Sequence, residues 1–151
     1  MGADLKNDVA KSAWKHLLEL AGWGSPRRVP RFPGVAMQLD LSPKQLGLIW
    51  RLGPDSTMSM RSIGESLYCD ASYVTDIVDR LEERDLIERR PDPGDRRVKL
   101  IALTPDGERL RERALELLYD PPEEFEMLDA DELATLDELL GKAASSAVPA
   151  A

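Results

Sequence analysis

The chain has 151 residues, of which 42% are hydrophobic and 32% are charged, and its formal net charge is -8. This length favours one domain, and no apolar run approaches the ~20 residues that span a bilayer, so we expect no membrane partner. One cysteine and one histidine argue against an internal disulfide, a cysteine-rich zinc site and most histidine-dependent active centres. We therefore expect a cytoplasmic protein that is not an enzyme and has no cofactor and no metal site.

The negative charge lies mainly near the carboxyl end of the chain. Residues 120–140 contain nine Asp and Glu residues and no Lys or Arg, so removing them from the net charge of -8 leaves the rest of the chain at +1. Residues 89–99 contain five Lys or Arg residues against two aspartates. An acidic composition therefore does not exclude a polyanionic partner, because this segment can form a local basic footprint.

The first predicted helix covers residues 4–21, where apolar residues recur at three- and four-residue steps and two glycines follow. Residues 24–34 contain three prolines and three arginines and predict an extended connector. Two interpretations stay open for Arg27, Arg28 and Arg31. They either contact phosphate or belong to a solvated linker, and the linker is the simpler interpretation.

Helices with strong start signals form the centre of the chain. Residues 42–45 read Ser-Pro-Lys-Gln, a capping box with proline at the first helical position, and this helix ends at Gly53. A very short strand at residues 58–60 and a short helix follow. Asp70 then caps a longer helix over residues 71–84, whose apolar residues have the spacing of a buried stripe. The stripe consists of Val74, Ile77, Val78 and Leu81.

The polar face of the helix over residues 71–84 has two interpretations. Ser72, Thr75, Asp76 and Asp79 lie opposite the apolar stripe and form either an ordinary solvent-exposed face or a surface for a partner. A short helix and a tight turn precede this helix, and a basic hairpin follows it. This neighbourhood favours the second interpretation.

The basic hairpin covers residues 86–103, with a turn rich in Pro and Gly at residues 91–95. Alternation in its second strand predicts that Val98, Leu100 and Ala102 share the buried face. Five cations flank the turn. Contact with phosphate explains this concentration of positive charge better than an ordinary solvated surface does.

Two more helices follow the hairpin. Thr104 and Pro105 predict a helix start, and the pair of prolines at residues 121–122 must end that helix because proline lacks the amide donor. Asp129 caps a last helix with an apolar stripe that consists of Leu133, Leu136, Leu139 and Leu140. The small central module cannot cover the stripes of both terminal helices completely, so these stripes need a further partner.

The order of these elements predicts a mainly α fold, a winged helix-turn-helix with amino- and carboxyl-terminal dimerisation helices. We assign residues 1–151 to a single domain. In this assignment the winged helix-turn-helix covers residues 42–103, and the dimerisation helices cover residues 4–23 and 105–145.

A long motif runs from the end of the helix over residues 71–84 through the hairpin. Residues 78–90 read VDRLEERDLIERR, residues 91–100 continue with PDPGDRRVKL, and residues 103–107 read LTPDG. With these motifs, residues 41–118 resemble the MarR (multiple-antibiotic-resistance regulator) family of bacterial transcription factors. The flanking helices resemble this family by pattern only.

The resemblance implies a homodimer whose two winged modules read double-stranded DNA, with the recognition helix at residues 71–84 and the wing at residues 89–99. It implies that Arg97 enters the minor groove and that Asp95 orients it, since a narrow A·T-rich groove attracts guanidinium. The implied DNA-binding residues are Ala71, Ser72, Tyr73, Thr75, Asp76, Arg80, Arg96, Arg97 and Lys99. Two departures affect this pattern: Asp85 stands where many relatives have glycine, and Asp76 places a carboxylate on the groove-facing side.

The resemblance further implies a sequence-specific DNA-binding transcriptional regulator, a ligand-responsive repressor that binds a near-palindromic operator as a homodimer. A small aromatic or amphipathic effector would bind between the dimer helices and the winged module. Trp14, Trp23, Phe32 and Trp50 either line that pocket or belong to the core. The alternative function is a winged-helix protein–protein interaction module without DNA binding. For Cys69 we expect a packing role and not a redox sensor.

Overall fold

The computed structural model describes residues 2–24 and 29–145. Within these ranges the chain forms seven α-helices, a short 3-10 helix at Glu123–Met127 and a three-stranded sheet, which confirms the mainly α winged-helix fold. In chain order the elements are α1 (Gly2–Leu20), α2 (Arg31–Gln38), α3 (Pro43–Arg51), β1 (Met58–Ser59), α4 (Met60–Leu67), α5 (Ala71–Glu83), β2 (Ile87–Pro91), β3 (Lys99–Leu103), α6 (Pro105–Tyr119) and α7 (Ala130–Ser145). The chain divides into two compact units, Met1–Asp120 and Pro121–Ala151. The assignment of the whole chain to a single domain stays a prediction.

Side-chain caps fix the starts of the central helices where the sequence predicts them. The Gln45 amide donates to Ser42 Oγ at 3.2 Å, and the Ser42 amide donates to Gln45 Oε1 at 2.7 Å, which completes the capping box of α3. The Tyr73 amide donates to Asp70 Oδ1 at 2.9 Å at the start of α5. Thr104 caps α6 in the same way. These bonds satisfy amides that every helix start leaves without an intrahelical partner.

The extended connector predicted for residues 24–34 is wrong from Arg31 onward, because α2 begins there. Pro30 precedes the helix with extended backbone, and Pro33 lies in its first turn, where a missing amide removes no helical hydrogen bond. Prolines that indicate a break elsewhere are therefore compatible with this helix start. Arg27 and Arg28 lie outside the described residues.

Arg31 closes the carboxyl end of α6. Its guanidinium donates to Leu117 O at 3.1 Å and to Asp120 O, and it lies 3.7 Å from the Asp120 carboxylate. The last carbonyls of a helix lack intrahelical donors and carry partial negative charge, so a guanidinium there is favourable. The structure thus gives Arg31 a structural partner and no exposed position for phosphate.

The three strands form an antiparallel sheet in the order β1-β3-β2, with Met58 and Arg89 opposite Ile101 on either side. The predicted burial is confirmed for Ala102 and wrong for Val98 and Leu100: Val98 is 38% exposed and Leu100 is half-buried, whereas Ile101 is fully buried. The reason is that the central strand β3 is buried at three consecutive residues, Ile101 to Leu103, so both of its faces are covered there and simple alternation does not apply. Residues 96–98, predicted as strand, belong to the loop.

The core of the first unit lies among α2 to α6 and the inner face of the sheet. The apolar stripe predicted for α5 is buried, which confirms that helix face, and the short helix α4 also buries two of its apolar residues. These residues are Ile63, Leu67, Val74, Ile77, Val78 and Leu81. Each such burial contributes ~1.5–3 kcal/mol. The core therefore holds α5 by one face and leaves the opposite face exposed.

The helix α1 of the first unit exposes large apolar side chains, among them Leu5, Val9 and Trp14. In the second unit, considered by itself, α7 starts at a capping box: the Glu132 amide donates to Asp129 Oδ1 at 2.9 Å, and the Asp129 amide donates to Glu132 Oε2 at 3.0 Å. None of the residues of α7 is buried. Across the described ranges, no helix combines the length and the apolarity that crossing a bilayer needs.

Candidate nucleic-acid interface

The helices α4 and α5 are joined by a tight turn at residues 68–70. Tyr68 ends α4 in the left-handed conformation, with φ 54° and ψ 49°, and its amide donates to Gly64 O. The Cys69 amide also donates to Gly64 O, at 2.9 Å. A Cβ at Gly64 would lie only 3.1 Å from Cys69 O, so glycine permits the close approach of the turn to α4. This arrangement is a helix-turn-helix with α5 as its second helix.

The outer face of α5 carries every recognition-helix residue that the sequence predicted for DNA contact. All of them are exposed, and they lie opposite the four buried residues of the same helix. The set consists of Ala71, Ser72, Tyr73, Thr75, Asp76 and Arg80. The Thr75 hydroxyl donates to Ala71 O at 2.9 Å, so it is already engaged by its own helix. The result is a mainly polar surface of short side chains.

Four of the five charged side chains of α5 take part in ion pairs, and the fifth, Glu83, is exposed. Arg80 Nε donates to Asp76 Oδ1 at 3.1 Å, one helical turn away. Asp79 and Glu82 both accept from the guanidinium of Arg89, which lies on β2 and is only 27% exposed. The Arg89 side chain therefore links the base of the wing to the recognition helix. Its single positive charge offsets part of the negative charge of the two carboxylates, which would otherwise face a nucleic acid.

The carboxyl end of α5 takes the conformation that glycine would favour. Asp85 has φ 55°, and the Leu86 amide donates to Leu81 O at 3.0 Å, which is the pattern of a left-handed helix cap. The Arg84 guanidinium donates to the carbonyl oxygens of Leu39 and Asp40, the two residues that directly follow α2. Asp85 therefore adopts the same left-handed helix cap that glycine would form at this position.

The wing is a hairpin whose tip is held by its two aspartates. The Asp92 amide donates to Val98 O at 3.0 Å and closes the loop, and Asp92 Oδ1 accepts from the Gly94 amide at 2.6 Å. Asp95 Oδ1 accepts from the backbone amide of Arg97 at 3.0 Å. Asp95 thus contacts the main chain of Arg97 and leaves the guanidinium unengaged.

The positive charge of the wing is divided between paired and unpaired side chains. At its base Arg89 is paired as above, and the Arg90 guanidinium binds the Glu88 carboxylate. Arg96, Arg97 and Lys99 are exposed, and no ion pair involves them within the part of the chain that the structure describes. The sequence predicted these three as DNA contacts. Arg89 and Arg90 at the base were not among the predicted DNA contacts, and both form ion pairs in the structure.

Tyr68 is an exposed residue that the sequence did not single out. Its side chain is 94% exposed in the turn before α5. An aromatic residue two positions before the cap Asp70, outside any apolar periodicity, was the available signal. Cys69, its neighbour, is half-buried and its thiol donates to Leu67 O at 3.3 Å. That contact fits a packing residue.

The other predicted features lie elsewhere in the first unit. The rings of Phe32 and Trp50 are in contact, with centroids 5.6 Å apart, whereas Trp14 and Trp23 are exposed. No group of three or more His, Cys, Asp or Glu side chains with the spacing of a metal site occurs among the described residues.

Known proteins resemble this chain across the helix-turn-helix and the wing. The model of the MarR family matches residues 41–99. The HTH-type transcriptional regulator YsmB of Bacillus subtilis is 35% identical over 113 residues, which cover 72% of this chain and 75% of YsmB. The multiple antibiotic resistance protein MarR of Salmonella typhimurium is 33% identical over 108 residues, which cover 69% of this chain and 74% of that protein.

A crystal structure of the multiple antibiotic-resistance repressor from Listeria monocytogenes shares the fold, with a TM-score of 0.73 at 22% identity over 96% of each chain. The range matched by the family model spans the recognition helix and the wing. These similarities agree with the exposed polar helix and the basic hairpin. The chain belongs to the MarR family of DNA-binding transcriptional regulators, and it is not an enzyme.

Proposed function

We propose that the protein is a ligand-responsive repressor that acts in the bacterial cytoplasm and binds a near-palindromic operator as a homodimer. One observation carries the proposal: the exposed polar face of α5 and the three unpaired cations of the wing belong to the same compact unit. This combination fits a helix in the major groove and an arginine in the adjacent minor groove. Two such units related by a two-fold axis would read half-sites about one helical turn, ~10 bp, apart.

The outer face of α5 would read base edges. Ser72 and Tyr73 carry hydroxyl groups that both donate and accept hydrogen bonds, so they suit several bases. Asp76 accepts only, which favours the N4 amino group of cytosine and disfavours a base that presents an acceptor there. Arg80 uses Nε for Asp76 and keeps its remaining N–H donors for a base or a phosphate. Ala71, at the first position of the helix, allows close approach to the backbone.

The wing would supply the electrostatic contact. Arg97 has a backbone fixed by Asp95 and a free guanidinium, which fits insertion into a narrow A·T-rich minor groove. Arg96 and Lys99 flank it and would neutralise phosphates on either side. Each neutralised phosphate releases counterions, so affinity should fall steeply as the salt concentration rises.

The exposed apolar residues support a homodimer. Leu5, Val9 and Trp14 of α1 are exposed, and an apolar surface of this kind indicates an interaction site. In the second unit Leu139 and Leu140 of α7 are exposed as well. The acids of α7 would repel phosphate, so this helix suits a protein interface and not a DNA interface. The partner we propose is a second copy of the chain.

Two features support a response to a small ligand. The Phe32–Trp50 pair presents aromatic surface, which suits a small aromatic or amphipathic effector. An open cleft also lies beside α5 and is lined by Met37, Gln45 and Arg80 among others. A ligand in that cleft would contact Arg80 and alter the recognition face. A panel of small aromatic and amphipathic molecules should contain members that release the protein from DNA.

The proposal is tested by selecting duplexes from a random-sequence pool with the purified protein and measuring their affinity by fluorescence anisotropy at several salt concentrations. We expect a selected consensus with two inverted half-sites, a strong salt dependence and a complex of two 16.8 kDa chains. Removing residues 129–151 should give monomer or aggregate and abolish binding, although the proposed DNA contacts remain. Failure of the full-length protein to bind duplex DNA near physiological salt would favour the protein–protein interaction module instead.

A further inference from the structure

Tyr68 combines an unfavourable backbone with an exposed aromatic side chain. Its φ of 54° lies in the left-handed region, which a residue with a Cβ occupies at a cost and which glycine occupies freely. Its side chain is 94% exposed. Within the described ranges, its hydroxyl takes part in none of the hydrogen bonds. Neither packing nor hydrogen bonding in the free protein therefore explains tyrosine at this position.

The position of Tyr68 relates it to the recognition helix. The residue lies two positions before Asp70, the cap of α5, so it precedes the helix end that enters the major groove in helix-turn-helix proteins. In such complexes the residues just before this helix end lie close to the sugar-phosphate backbone at the edge of the groove. Tyrosine hydroxyls are among the groups that donate to phosphate oxygens in protein–DNA complexes.

A positive charge lies beside the same turn. The ammonium group of Lys44 donates to the carbonyl oxygen of Leu67, the residue directly before Tyr68. The Lys44 side chain is half-buried, so its charge is held near the turn and is not free to move away. A phosphate next to Tyr68 would therefore meet a donor hydroxyl and a fixed cation together.

We infer that the Tyr68 phenol donates a hydrogen bond to a phosphodiester of the operator at the edge of the major groove and so anchors the amino end of α5. This inference rests on the proposed operator binding. The contact is uncharged and releases no counterion, which separates it from the cationic contacts of the wing. The strained turn thus acts as a positioning device for the recognition helix.

Two substitutions separate this role from a structural one. Tyr68→Gly should relieve the backbone and raise the melting temperature by about 2–4 °C, while it weakens binding of the selected duplex about tenfold or more. Tyr68→Phe should keep the fold and weaken binding about three- to tenfold, with an unchanged slope of log affinity against log salt. Tyr119→Phe is the matched control, because Tyr119 is also exposed but lies at the end of α6; its affinity should equal that of the parent.

The contact is located with selected duplexes in which single phosphates are replaced by neutral methylphosphonates. At one symmetric pair of positions the replacement should weaken the parent protein more than it weakens Tyr68→Phe, in which the Lys44 ammonium is the only one of the two groups left beside that phosphate. Equal affinity of Tyr68→Phe and the parent, or equal sensitivity of both at every position, would overturn the inference while the selected duplex still binds. Absence of duplex binding by the parent protein would instead overturn the proposed function.

Discussion

The recognition helix and the wing differ in whether their charged side chains form ion pairs. On α5, Arg80 is paired with Asp76, and the carboxylates of Asp79 and Glu82 are held by Arg89. On the wing, the aspartates bind backbone amides and the outer cations stay unpaired. The comparison suggests a division of work. The helix presents oriented donors and acceptors with most of its charges paired, whereas the wing presents unpaired positive charge with little directional constraint.

This division matters for a protein with a net charge of -8. A negatively charged chain is repelled by DNA at long range, so its affinity depends on a local cluster of cations. Base recognition depends on hydrogen-bond geometry and not on charge. Keeping the two functions on separate elements allows the recognition face to contain Asp76 without loss of the electrostatic attraction.

The largest effect is expected at the wing. Arg97→Ala should weaken binding of the selected duplex by about 1–3 kcal/mol, since it removes the guanidinium that we place in the minor groove. Dimer mass and melting temperature should stay unchanged. The matched control is Arg113→Ala, which removes the same charge from the exposed surface of α6. Equal affinities of the Arg97 and Arg113 variants, measured by anisotropy, would contradict the role of Arg97.

A smaller effect is expected on the recognition helix, where a substitution should strengthen nonspecific DNA binding instead of weakening it. Asp76→Asn removes a carboxylate from the base-reading face, so binding to unselected duplexes should tighten while preference for the selected duplex falls by about 1–2 kcal/mol. Glu83→Gln makes the same charge change at another exposed position of α5 and serves as the control. For each variant, the measurement is the ratio of its affinity for the selected duplex to its affinity for unselected duplexes. An unchanged ratio in Asp76→Asn would show that this carboxylate does not select bases.

The smallest effect is expected where the two regions meet. Arg89→Met removes the link to Asp79 and Glu82 and should lower the free energy of unfolding by about 1 kcal/mol, because these ion pairs are partly exposed and screened by solvent. Duplex binding should also weaken modestly, since two carboxylates become unpaired near the phosphates. Denaturant unfolding and anisotropy measure the two quantities. Arg90→Met is the control, because it leaves the pairs of Arg89 with Asp79 and Glu82 intact. The loss of duplex affinity should be larger in Arg89→Met than in Arg90→Met.

Local signals in the sequence were sufficient for the helices and for the fold class. Ser42, Asp70 and Thr104 each predicted a helix start that the structure contains, because a cap depends on residues within three positions. The burial of α5 followed from periodicity alone. The first helical turn around Pro33 was missed for the same reason, since a local rule treats proline as a break and cannot recognise an acceptable first-turn position.

Features that depend on distant residues could not be predicted in this way. The inward face of β3 depends on β1, which lies some forty residues earlier and makes β3 central. The distinction between the paired Arg89 and the unpaired Arg97 depends on the register that brings β2 beside α5. Tyr68 was not identified as a candidate because its exposure and its left-handed backbone become visible only in the folded turn.

The division of work is tested most directly by the salt dependence of binding to the selected duplex. Replacing Arg96, Arg97 and Lys99 with alanine should lower the slope of log affinity against log salt by about 5 per dimer, since each lost phosphate contact contributes about 0.9. The double variant Asp76→Asn/Arg80→Gln removes a neutral pair, so it should keep the slope and lose sequence preference. A slope that survives the wing substitutions, or that falls equally in the helix variant, would contradict the account.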